Sequence, residues 1–500
     1  MNKLMLGAVA LLCATSPAPA QKFKTDIPPA IVTPDALDTR LGTLRFKDGF
    51  PDDETVRKVY DNLDFQRGVQ ALLIAMPAAS LAAMRKGIRS FGPDNQTVII
   101  FPTLMDAKAL FLTANTESIY ASAWIDLKNG PIVIESPPNT LGIVDDFWFN
   151  YVADLGNAGP DKGKGGKFLF LPPGYSGAVP DGYHVYKSRT FGNWFITRGF
   201  QVNGDPKPGA DSIKANLRIY PLAQAAKPPS TNFVDVSGKA FNTIHATDFS
   251  FFDEVNQVVQ EEPNTASDPE TLGLLAAIGI EHGKAFAPDE RMKKILTEAA
   301  AVGSATARAL SYHSRDPEAA LYPNSAWQTA FIGGSYEFQR DGVRLLDARS
   351  MFFFMATGIT PAMNLKMPGV GSQYASANKD AKGQPFDGSK TYRLHLPPNI
   401  PAKDFWSLVI YDYQTRSLLQ TDQLPSIGSQ KKGVVVNPDT SVDVYFGPKA
   451  PPGKEANWVQ TWPGKGWSII LRLYGPEQAF FDKTWKPGEF EEVSNTTGQQ

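Results

Sequence analysis

Thiols are almost absent from this chain. Its one cysteine, Cys13, sits within the first twenty residues, and those read as a leader that is removed. The mature chain then has no disulfide, no cysteine nucleophile and no thiolate metal ligand. Its stability has to come from packing, for which 31 Phe, 16 Tyr and 9 Trp supply the material. Histidine is scarce too. His184, His245, His282, His313 and His395 are scattered, with no His-x-His or His-Glu-x-x-His pair, so the sequence signals no metal site. No excess of positive charge exists either; the formal charge of -2 gives no footprint for nucleic acid. Walker A, Gly-x-Ser-x-Gly and Rossmann fingerprints are missing. The sequence names no cofactor.

The leader is expected over residues 1–20. Lys3 gives the positive start, residues 4–14 form an apolar run too short to span a bilayer, and Ala18-Pro19-Ala20 is a cleavage site before Gln21. A lipoprotein would need a small residue before Cys13, where Leu12 stands. No later run reads as membrane length. The expectation is a soluble periplasmic or secreted protein with no membrane span.

What the chain does have is a pattern that occurs twice. Pro137-Pro138-Asn139, Asp146-Phe147-Trp148, Pro172-Pro173-Gly174 and Trp194 to Arg198 recur in order as Pro397-Pro398-Asn399, Asp404-Phe405-Trp406, Pro451-Pro452-Gly453 and Trp467 to Arg472. Self-similarity at this distance implies duplicated structural units. Length suggests about two to four domains. Residues 21–52 read as an extended arm, and 53–96 as a helical segment whose helix Pro77 closes. Residues 97–220 carry short β runs at 118–126, 132–135, 142–152, 167–171, 183–190, 193–200 and 212–220, a first β-sandwich. Residues 221–335 are a connection and helical insert, with helices over 251–261, 268–282 and 288–313. Residues 336–490 are a second β-sandwich, with strands at 392–396, 405–413, 433–437, 441–446 and 466–474. Residues 361–388 read as a long loop, and 491–500 as a disordered tail. The fold class is mainly β with an α insert.

Several stretches resemble one exported bacterial family. They are TANTESIYASAWID (113–126), VDDFWF (144–149), GPDKGKGGKFLFLPPGY (159–175), RSMFFFMATGITPAM (349–363), FDGSKTYRLHLPP (386–398), YDYQTRSLLQTD (411–422) and GKEANWVQTW (453–462). The family joins the domains of unknown function numbered 1254, N-terminal, and 1214, C-terminal, and the resemblance spans roughly residues 55–490. It implies tandem jelly-roll-like antiparallel β-sandwiches joined by a helical segment. It implies no catalytic set.

Candidate site residues come from the residues themselves. Asp145 and Asp146 point to opposite sides of any strand. Asp146 reads as a cap at a strand start, as Asp404 does in the second copy. Asp145 has no counterpart, since Lys403 stands there, and is the freer acid or base. Trp148 beside them is a candidate substrate contact. Lys162 and Lys164, set among glycines, suit an anion or a flexible basic hairpin loop. Arg393 and His395 alternate along one strand and share a face. Arg393, Arg416 and Arg349 are candidates for anion capture, and His395 or Tyr411 for proton transfer. The expected function is a hydrolase acting on a small or amphipathic molecule, anionic ones included. The alternative is a non-catalytic ligand-binding or assembly protein. Unpaired sheet edges make a homo-oligomer the expectation under either.

Overall fold

The computed structural model describes residues 23–493. The expected leader and the tail beyond Val493 lie outside the described residues. The protein is mainly β, with several antiparallel sheets and, among the described residues, seven α-helices. It divides into two compact units, one ending at Leu63 and one starting at Asp64.

The first unit is not the extended arm that the sequence suggests. Ala36–Thr39, Gly42–Lys47 and Phe50–Pro51 form an antiparallel meander. Lys47 pairs with Phe50 across Asp48-Gly49, both at positive φ. That two-residue turn matches the right-handed twist of the strands. The Asp52 carboxylate then accepts from the Thr55 amide at 2.7 Å where α1 (Asp53–Arg89) starts.

Helix α1 continues into the second unit, and Pro77 lies inside it rather than ending it. Proline cannot bond to the carbonyl four residues back. Here Ser350 Oγ donates to the Leu73 carbonyl at 3.4 Å, and Arg349 Nη1 donates to that of Ile74 at 2.9 Å. Side chains of another helix thus meet the carbonyls around the proline. By length and composition α1 could cross a membrane, contrary to the sequence expectation, but its apolar stretch is largely buried within the protein.

The second unit contains the duplication. In the first copy the strands are β1 (Ser118–Asp126), β2 (Ile132–Ser136), β3 (Leu141–Asp146), β4 (Tyr151–Gly156), β5 (Gly166–Leu171), β6 (His184–Lys187), β7 (Gly192–Phe200) and β8 (Arg218–Pro221). In the second copy they are β9 (Ser372–Ala377), β10 (Tyr392–Leu396), β11 (Ala402–Asp412), β12 (Ser426–Gly428), β13 (Val442–Gly447), β14 (Trp458–Gln460), β15 (Trp467–Pro476) and β16 (Phe490–Glu492). The first copy has sheets ordered β1-β7-β3-β4 and β6-β5-β2-β8; the second has β9-β15-β11-β12 and β14-β13-β10-β16. Each strand therefore has its equivalent eight places on. In both copies one edge pair, β5 with β6 and β13 with β14, is parallel. Thr97–Ile100 and Asn232–Asp235 extend the first sheet beyond β1.

Each sheet pair encloses its own core. Ile119, Ile134, Phe168, Phe170 and Phe195 fill the first. Leu394, Leu408, Val444, Trp467 and Leu471 fill the second. The opposite faces of β1, β7 and β11 join a third core with α1, α3 (Ser250–Glu261), α5 (Glu290–Tyr312) and α6 (Leu346–Met355). The helices α2 (Lys207–Asn216), α4 (Pro269–Ala276) and α7 (Gln478–Phe481) complete the set.

Five local expectations are corrected. The run 142–152 is a hairpin, β3 and β4, broken by a tight turn at Phe147–Asn150. Asp146 ends β3 instead of starting a strand: its Oδ1 accepts from the amides of Trp148 and Asn150, both at 2.9 Å. Residues 207–216 are helical because Ala210 and Ile213 bury one face and a proline sits in the first turn. Residues 433–437 form no strand. The loop expected over 361–388 contains β9, whose serines and alanines carry little β signal but pair along β15.

Substituting Arg349→Met removes the donor to the Ile74 carbonyl beside Pro77. We expect a loss of about 1–3 kcal/mol, seen as a lower urea midpoint with an unchanged slope. An unchanged midpoint would mean that water satisfies this carbonyl instead.

Candidate functional site

The two inner sheets turn polar residues toward a common space. On β7, Trp194, Ile196 and Arg198 share one face by the alternation of a strand, and Phe195 faces the first sandwich core. On β15, Ile470, Arg472 and Tyr474 share one face, while Trp467, Ile469 and Leu471 fill the second core. Arg198 lies opposite Tyr120 of β1, and Arg472 lies opposite Tyr374 of β9. The same Arg–Tyr cross-strand pair thus stands at the equivalent place in both copies.

Between these faces is a cavity of about 120 Å³. Tyr120, Arg198, Tyr374 and Arg472 line it together with apolar walls from Phe111, Ile143, Trp194, Ile196, Phe331, Phe352 and Ile470. A side chamber of about 70 Å³ shares Thr113, Gln328, Phe352, Ala356 and Ile470 with it. Arg472 is fixed: Nη1 donates to the Tyr411 hydroxyl and Nη2 to the Thr113 carbonyl, both at 2.6 Å. Tyr411 in turn donates to the Ala114 carbonyl at 2.6 Å. Burial pushes the Tyr411 and Tyr474 phenols up, so both stay protonated.

One wall is the segment after α6, where Ala356, Thr357 and Gly358 reach the cavity. Gly358 has φ 85°, and a Cβ there would come within 3.1 Å of Ile143 and 3.4 Å of Trp194. Two buried carboxyl groups tie this segment down. Asp145 Oδ2 accepts from the Ile359 amide at 2.9 Å, and Asp154 Oδ1 accepts from the Thr360 hydroxyl at 2.6 Å. Burial raises the Asp145 carboxyl well above the usual carboxylate range, and it pushes Asp154 up to about 6.

The residues proposed from sequence are scattered. Tyr411 faces the cavity side through Arg472. Asp145 anchors the cavity wall and, being fully buried, is not the freer residue expected. Arg393 and His395 do share a face, but it is the outer face of β10, where both are partly exposed and lie near Asp443. His395 Nδ1 is 2.9 Å from that carboxylate. Arg416 is buried against Phe354, 4.0 Å from its ring, and donates to the carbonyls of Phe354 and Gln414. Burial lowers it to about 10. Arg349 supports the Pro77 region of α1. It also shares a polar cavity of about 320 Å³ with Trp148, Arg189 and Arg344. The arginines of that cavity have neighbours as partners: Ile74 for Arg349, Asp146 for Arg189 and Glu337 for Arg344. Lys162 and Lys164 are exposed, and their amides bond to the Gly159 and Asp161 carbonyls, so they do not form a free amide cradle. Among the described residues, no group of three or more His, Cys, Asp or Glu gathers as a metal would need.

Arg198 and Tyr374 are not among the candidates that the sequence singles out. The signal is the repeat itself, which places an arginine within a largely apolar strand in both copies.

Residues 95–221 match the family model described as a protein of unknown function, DUF1254. Residues 371–478 match the one described as a protein of unknown function, DUF1214. No curated protein matches the chain. Among solved structures, the VPA0106 protein from Vibrio parahaemolyticus is 19% identical with a TM-score of 0.52, covering 87% of this chain and 100% of that one. A putative uncharacterized protein from Burkholderia cenocepacia is 13% identical with a TM-score of 0.38, covering 87% and 96%. The Vibrio likeness speaks for the fold alone.

Asp154 makes stability depend on pH. Its folded-state pKa lies above the unfolded 3.8, so its contribution favours folding at low pH and is lost as the pH rises from about 4 to about 6. The size is about 2–3 kcal/mol. Asp154→Asn should flatten this part of the profile of melting temperature against pH, and an identical profile would place the titration elsewhere. In position and order, the chain carries a DUF1254 match followed by a DUF1214 match, the combination that its motifs resemble.

Proposed function

We propose that this is an exported protein that holds a small amphipathic molecule in the cavity between its two β units. We read each unit as a jelly-roll-like sandwich with a parallel pair at one edge. One observation carries the functional reading: an apolar, aromatic-walled cavity with a few convergent polar groups, the composition of small-molecule sites. A volume of about 120 Å³ holds roughly four waters, and so a ligand portion of about the size of a small ring. The side chamber would take a little more.

Binding has more support than hydrolysis. The cavity lining includes no histidine, aspartate or glutamate, so no general base of the usual kind faces a ligand. His395 stands on an outer sheet face, and Asp145 is committed to the Ile359 amide.

The test uses the mature chain from Gln21 and a neutral probe, 1-octanol, followed by thermal shift. Ligand at about a hundred times its dissociation constant should add roughly 2.7 kcal/mol. Ala356→Phe, which fills the space shared by both chambers, should abolish the shift. If the variant still responds like wild type, the ligand sits elsewhere. Mass spectrometry of a set of octyl esters after incubation separates the readings: unchanged esters support a binder, and consumed esters support the hydrolase.

A further inference from the structure

The cavity contains more positive charge than its own residues neutralise. Arg198 and Arg472 both line it. Among the described residues, no carboxylate lies within ion-pair distance of either. The nearest acids are occupied: Asp154 accepts from Thr360 and Tyr151, and Glu117 accepts from Thr116. They act on the two guanidinium groups only across a longer gap. Arg472 is 4% exposed and Arg198 is partly exposed; a charge held away from water without a partner costs several kcal/mol, and an arginine stays charged at any physiological pH.

The spare donors converge. Arg472 spends two of its five N–H groups on Tyr411 and Thr113, leaving three. Arg198 has the Tyr374 hydroxyl beside it. Tyr474 is 4% exposed, and its hydroxyl has no hydrogen-bond partner. It lies two residues from Arg472 on the same face of β15, within the electrostatic reach of both arginines. Two guanidinium forks in the lining suit the oxygens of one oxyanion, and the unpaired Tyr474 phenol lies behind them, outside the lining. The remaining walls, among them Phe111, Trp194, Phe331 and Phe352, suit a hydrocarbon chain.

We propose that Arg198 and Arg472, one from each copy of the duplicated unit, clamp the oxyanion head of a single-chain amphiphile whose tail lies along the aromatic wall. The head is a carboxylate, a sulfate ester or a phosphate monoester. The tail is at most about eight carbons, set by the cavity and its side chamber. This rests on the cavity reading above and adds the chemistry of the head.

The test is calorimetric titration of the mature chain with octanoate, octyl sulfate, octyl phosphate and 1-octanol, at pH 7.5 and below micelle-forming concentrations. At least one anion should bind tenfold or more tightly than octanol, and the ranking of the three identifies the head. In Arg198→Gln the ratio of anion to octanol affinity should fall at least tenfold; Arg198→Lys, which keeps the charge, should retain part of it. Arg198 is the first choice because Arg472 also holds the backbone at Thr113. If octanol matches every anion in wild type, or Arg198→Gln keeps the full preference, the oxyanion clamp is wrong and the cavity reading stands. If no probe binds, neutral or anionic, both are wrong. Should Arg198→Gln fail to fold, the wild-type ratio of anion to octanol decides alone.

Discussion

The structure depends on two central strands, β7 and β15, that are buried on both faces. Each has one face in its own sandwich core and the other in the space where the two copies and the helices meet. A strand in this position cannot slip by one residue without sending every side chain to the wrong core. The dual burial fixes register, and register fixes where the two arginines point.

That constraint also explains an asymmetry between the copies. Trp194 and Arg198 are four apart, an even spacing, so they share a face, and the tryptophan joins the cavity wall. Trp467 and Arg472 are five apart, so the tryptophan turns into the sandwich core while the arginine still meets the cavity. One residue in a strand reverses a face, whereas tens of residues in a loop change nothing inside. The Asp-Phe-Trp motif shows the same freedom: it caps the end of β3 in the first copy and lies near the start of β11 in the second.

Much of the β framework was legible because buried strands bounded by Gly, Pro and Asn stand out. The 118–126 run and its neighbours needed no tertiary information. What failed had physical reasons. The Asp146 turn interrupts an apolar run with Phe147, Trp148 and Phe149, which are buried though not in a strand. β9 has small residues at four of its six positions and pairs along β15 all the same. Pro77 stays helical because side chains distant in sequence meet nearby carbonyls. The candidate site was legible only in part. Polar residues rich in chemistry, such as His395 and Arg393, drew attention and proved to lie on an outer face. Arg198 looked like the end of a hydrophobic strand until a second strand faced it.

The proline within α1 has a mechanical consequence. Arg349 and Ser350 hang α6 from carbonyls of α1 beside Pro77, and the far end of α6 carries Phe352 and Ala356 into the cavity wall. A proline inside a helix is a natural hinge point. Any bend of α1 at that point would pass through α6, as through a lever, to the wall of a chamber that α1 itself does not line.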